Sequence, residues 1–144
     1  MQTLLRQTCV ALFGLVALFL IWFGVTYASV RDMLWFHEAA VPEAARDAVR
    51  PLYFALMNLI GGASVALGVL SLYVIALPLR RGVPGAAAIL VLVNAVALFT
   101  AAVTAEELAA ATGSPTSWHI MGIVFAVTCL AFLLQVVGQQ RRRT

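Results

Sequence analysis

Four stretches of this chain, residues 9–28, 52–79, 84–105 and 117–137, are strongly apolar and contain no Asp, Glu, Lys or Arg. A helix rises 1.5 Å per residue, so about 20 residues cross the roughly 30 Å hydrocarbon core of a bilayer. Each stretch reaches that length. None alternates with the period of two that a strand needs, and open backbone groups find no water in lipid, which leaves the helix as the spanning form. The expected fold is all-α: one integral membrane domain over residues 1–144, a bundle of four transmembrane helices running up-down-up-down. The lipid bilayer is its first partner.

Composition supports a lipid solvent. Of the 144 residues, 63% are apolar and 10% charged, against about 45–50% and about 25% in soluble domains. A chain this short buries only about two-thirds of its surface on folding, so the excess would stand exposed in water. These values exclude a disordered tail, a disulfide-stapled secreted module and a nucleic-acid partner.

Local punctuation refines the boundaries. Pro51 and Pro84 suit the first turns of the second and third helices, where a missing N–H costs nothing. Gly113 suits the end of the third helix, which has room to extend from 105 to 112 past the bilayer. Ser114 and Pro115 suit a cap and first turn for the fourth. The turn through Pro78, Arg80, Arg81 and Gly82 makes the second and third helices expected antiparallel neighbours. The loop at 31–51 is the one sizeable extramembrane piece. Within it, 42–49 reads as a short interfacial helix with Glu43, Asp47 and Arg50 on its solvated face, and Trp35 and Phe36 as anchors. The first apolar stretch exceeds the roughly 7 to 15 residues of a signal h-region and is expected to stay as a helix.

The charges map sidedness. All nine cations are Arg. Arg6, the pair Arg80 and Arg81, and the cluster Arg141, Arg142 and Arg143 are separated by even numbers of apolar stretches. Asp32, Glu38, Glu43, Asp47, Glu106 and Glu107 fall in the two intervening loops. The positive-inside rule then places both termini in the cytoplasm of a plasma (inner) membrane. Alanine-rich, lysine-free usage points to a bacterial source.

Helices in lipid associate through small residues and interhelical hydrogen bonds. Asn58, Gly61, Ser64, Gly68 and Ser71 share one face of the second helix. Ala87, Asn94, Ala97 and Ala101 form a similar stripe on the third, and Gly122, Ala126 and Cys129 on the fourth. A bundle seam or a homodimer face accounts for such stripes, and a lined pathway for a substrate or ion is the alternative.

Candidate chemistry is confined to the outer rim. The absence of Lys removes Schiff-base catalysis, and Cys9 and Cys129 form no CxxC pair. Both histidines are on the acidic side, so His37, Glu38, Asn58, Thr100, Glu106, Glu107 and His119 can be arranged as a vestibule. Two imidazoles with a carboxylate can hold a divalent metal, two imidazoles can ligate a haem, and one can hydrogen-bond a quinone carbonyl. No HxxxH or HxxE spacing supports any of these. The first helix lacks the buried acid that small four-helix multidrug antiporters require, and no cysteine pair faces outward as in quinone-linked thiol oxidases. The spans hold no charge at depth, where transporters and proton relays keep theirs. The leading expectation is a protein acting by helix–helix association, as a homo-oligomer or an accessory subunit of a larger membrane complex. An outer-half ligand site or enzyme using His37 and His119, and a passive channel or transporter, are the alternatives. A reporter fused after Arg141 is expected to signal from the cytoplasm, and a signal from the opposite side would overturn the orientation.

Overall fold

The computed structural model describes residues 2–140 and contains five helices and no strand among them. They are α1 (Gln2–Ala28), a single-turn α2 (Trp35–Glu38), α3 (Arg46–Val74), α4 (Ala86–Thr112) and α5 (His119–Gln140). α1, α3, α4 and α5 are long and apolar enough to cross a membrane. Arg141, Arg142 and Arg143 lie outside the described residues.

Proline positions shape α3. Pro51 lies inside the helix rather than in its first turn, because α3 already begins at Arg46 after a 3-10 turn at Glu43–Ala45. The segment read as a separate interfacial helix is thus the 3-10 turn and the first turn of α3. At the other end, an α-helical Pro78 would press its ring against the carbonyl four residues back. The helix widens there into a π turn, Ile75–Leu79, which keeps Ile75 and Leu79 buried. Such widened turns are a known relief of a broken hydrogen-bond ladder. α4 stops at Gly113, whose φ of 68° reverses the chain and whose N–H caps Ala109 O.

The tightest contact joins α1 and α3 in antiparallel register. A Cβ on Gly24 would fall 2.6 Å from Gly61 O and 2.7 Å from Val65 N. One on Gly61 would fall 2.6 Å from Ala28 N, and one on Gly68 2.8 Å from Ala17 O. The two backbones therefore touch, in the way small residues allow in lipid. The small-residue stripe of α3 meets α1, not α4. Asn58 departs from that stripe: it is exposed, and it sits one turn beyond Gly61, at or past the level where α1 ends. Ser64 is half-buried and Ser71 buried.

α1 also packs along α5, and α5 along α4, which gives the spatial order α3, α1, α5, α4. α3 and α4, though consecutive spans, meet little beyond their shared turn. The expectation of antiparallel neighbours is corrected to that extent. The turn holds them together at one end, and α1 and α5 fill the space between. The buried core lies toward this end, where Phe13, Ala17, Ile75, Leu79, Leu90 and Ala131 interlock. The buried edge of α4 continues through Asn94 and Leu98, and that of α5 through Thr128. Gly122 faces the ring of Trp118 on its own chain rather than a neighbouring helix.

Leu18, Leu59, Phe99, Ile123 and Leu133 point outward with more than half of their surface exposed. So large an apolar exterior would be an aggregation hazard in water. It suits lipid.

Gly61→Ala is expected to lower stability by about 1–3 kcal/mol through overpacking against the α1 backbone, read as a lower melting temperature in detergent. Gly62→Ala, with nothing within 4 Å of its added Cβ, should leave it unchanged or higher. Equal effects at both positions would show that the helices do not touch there.

Candidate functional site

Gly61 is level with Ala28, the last residue of α1. The first turns of α3 therefore extend past the last residue of α1, with Tyr27 of α1 meeting them through His37. The chain between α1 and α3 folds back onto this projecting stem and forms a small cap. Arg46, Arg50 and Tyr53 follow one another at helical spacing, and all three hold that connection. Arg46 Nη1 pairs with Glu38 Oε1 at 2.8 Å, and Arg50 Nη2 with Asp32 Oδ1 at 3.1 Å. Arg50 also lies over the Phe54 ring, 5.7 Å from its centroid. Exposed pairs of this kind are worth about 0–1 kcal/mol each, so they set register more than stability.

The interior of the cap is aromatic. His37 meets Phe36, Tyr53 and Tyr27 edge-on, with ring centroids 4.5, 5.5 and 6.4 Å apart. Tyr53 Oη accepts the Leu34 N–H at 3.1 Å and lies 3.0 Å from His37 Nδ1. Burial holds the His37 pKa below the ordinary 6.5, so the ring is neutral at pH 7. Its Nδ1 and the Tyr53 hydroxyl then share one hydrogen bond. His37 is a strut of the cap.

The connection between α4 and α5 closes the cap from the other side. Buried Ser114 donates from Oγ to the Phe36 carbonyl. Thr116 donates to Ala105 O at 2.7 Å, and Glu106 Oε1 accepts the Trp118 N–H at 3.2 Å. Exposed His119 stacks on Trp118, centroids 4.7 Å apart, with Nδ1 2.9 Å from Ser117 Oγ.

The residues expected to line a vestibule are therefore divided. His37 and Glu38 serve the cap, paired with Tyr53 and Arg46. Glu106 and His119 serve the start of α5. Thr100 donates to its own helix at Val96 O, and Asn58, Thr100 and Glu107 are all exposed. Among the described residues, no three His, Cys, Asp or Glu side chains gather as a metal-holding group. The two histidines engage separate partners through Nδ1, His37 with Tyr53 and His119 with Ser117. Sequence reasoning missed Tyr53 and Tyr27, and it gave Ser114 and Pro115 to the start of the fourth helix, whereas α5 begins at His119 and Ser114 ties its connection to Phe36. The spacing of Arg46, Arg50 and Tyr53 was the available signal for the first.

With this geometry in view, comparison with protein-family models, curated proteins and solved structures finds no match.

Tyr53→Phe removes an acceptor and a donor at once, each worth about 1 kcal/mol net. Amide exchange at Leu34 is expected to accelerate about tenfold, and unchanged protection would refute the role given to the hydroxyl. The pH dependence follows from the lowered His37 pKa. Well above 6.5 neither the docked nor the released cap binds a proton, so docking has its full strength. As pH falls below that value the released state is protonated first, and docking weakens until the docked histidine titrates too. Leu34 protection should fall over that window, and His37→Gln should flatten the response.

Proposed function

We propose that this chain is a multi-pass protein of a bacterial plasma (inner) membrane, both termini cytoplasmic, that works through helix–helix association. It acts as a homo-oligomer or as an accessory subunit of a larger membrane complex. The observation that carries this reading is the apolar outer face of the bundle. α3 packs on α1 and α4 packs on α5, with α1 and α5 lying between α3 and α4, and the outward faces of the four spans keep large apolar side chains exposed. Two facts support it. The apolar stretches of the spans carry no Asp, Glu, Lys or Arg, whereas transport and proton relay keep charged groups at depth. The small-residue stripe of α3 is occupied within the monomer, so a partner meets the large apolar side chains that remain outward, such as Leu92, Val96 and Phe99 on α4. The arginine distribution supports the orientation.

The test is the mass of the particle purified in mild detergent, read by light scattering and native mass spectrometry. A dimer, a higher oligomer or a stoichiometric companion protein is the expected result. A monomer with nothing bound, at concentrations where the fold remains intact, would overturn the reading.

A further inference from the structure

At the end of the bundle opposite the cap, three guanidinium groups surround one opening. Arg6 on α1 and Arg80 and Arg81 in the turn after α3 line a cavity of about 320 Å³ together with Gln135 of α5. The Arg6 guanidinium donates to the Arg80 carbonyl, which clips the start of α1 to the turn. A neighbouring hollow of about 480 Å³ shares Arg6 and Arg80.

Nothing acidic among the described residues answers this charge. Both ion pairs found there, Arg46 with Glu38 and Arg50 with Asp32, belong to the cap, and all six acids of the chain fall at that far end, in the α1–α3 connection, the first turn of α3 and the last turns of α4. The cavity adds neutral donors. Gln135 Oε1 lies 3.6 Å from the Cys9 thiol and accepts from it, which leaves the amide N–H groups of Gln135 for the opening. Buried Leu79 and half-buried Leu134 form an apolar wall.

Three like charges held together call for an anion, and the planar guanidinium fork matches phosphate oxygens. Basic pockets where helices leave the hydrocarbon bind anionic headgroups. The geometry points to a binding site for the phosphate of an anionic phospholipid, its headgroup among Arg6, Arg80 and Arg81 and its first methylenes against Leu79 and Leu134. The apolar wall favours a lipid over free phosphate, which has no use for it.

Native mass spectrometry of the intact chain in mild detergent, with phosphatidylglycerol or phosphatidylcholine of equal chain length added, tests the site. The expected result is preferential retention of phosphatidylglycerol, reduced about fivefold for each arginine removed in Arg6→Gln and Arg80→Gln. Arg46→Gln, in the cap, should leave the preference unchanged. Helical content by circular dichroism confirms that each variant is folded, and Gln135→Leu, which alters no charge, should also weaken retention. Equal retention of the two lipids, or a preference insensitive to Arg6 and Arg80, would overturn the proposal. Displacement of the lipid by millimolar inorganic phosphate would overturn its lipid half and reassign the site to a free anion.

Discussion

The backbone contact between α1 and α3 is the constraint on which the rest of the structure depends. Lipid offers no hydrophobic reward for bringing helices together, so attraction must come from dispersion at short range. Gly24 and Gly61 supply that range by removing the side chains that would hold the two axes apart. Once α1 lies along α3, the antiparallel register puts Arg6 against the carbonyl of Arg80 at one end. At the other end it leaves the first turns of α3 projecting beyond Ala28. The basic cavity and the aromatic cap are both consequences of one register.

The two ends differ in their chemistry. The cap gathers His37, Tyr53 and Tyr27 into a half-buried aromatic cluster, tied by Arg46 and Arg50 to nearby carboxylates and by Ser114 to the α4–α5 connection. His37, Glu38, Arg46, Arg50, Tyr53 and Ser114 each have a polar partner there, which suits a structural closure. The opposite end has cations and amides without carboxylates among the described residues, which suits an anion supplied from outside. Between them lie apolar walls and one buried amide, Asn94, whose Oδ1 has no hydrogen-bond partner. An unsatisfied acceptor in hydrocarbon is costly, so Asn94 is a point where the packing of α4 carries a penalty.

The four spans were legible in the sequence because hydropathy is a local sum over about 20 residues, and any helix of that composition belongs in lipid. The stripe of Gly61, Gly68 and Ser71 was legible for the same reason, since helical periodicity is local. Its partner was not. Small residues offer the same surface to whichever helix arrives, and Gly24 was masked by Trp22 and Phe23 beside it. Asn58 was drawn onto the stripe by its spacing, yet the helix twist places it outside the seam and at its margin. The vestibule was drawn from depth alone. His37 and His119 do share a side, but their rings are claimed by neighbours on different connections.

The sequence by itself determined that this chain forms four long apolar helices and that its acids and most of its arginines gather in alternate connections, because both follow from the order of residues along one strand of chain. The tertiary structure decided which helices touch, that α3 stands as a stem for the cap, and that Arg6 joins Arg80 and Arg81 around one cavity. Those outcomes depend on where separate helices come to rest in three dimensions. That is set by close approach at a few glycines, a property no local pattern contains.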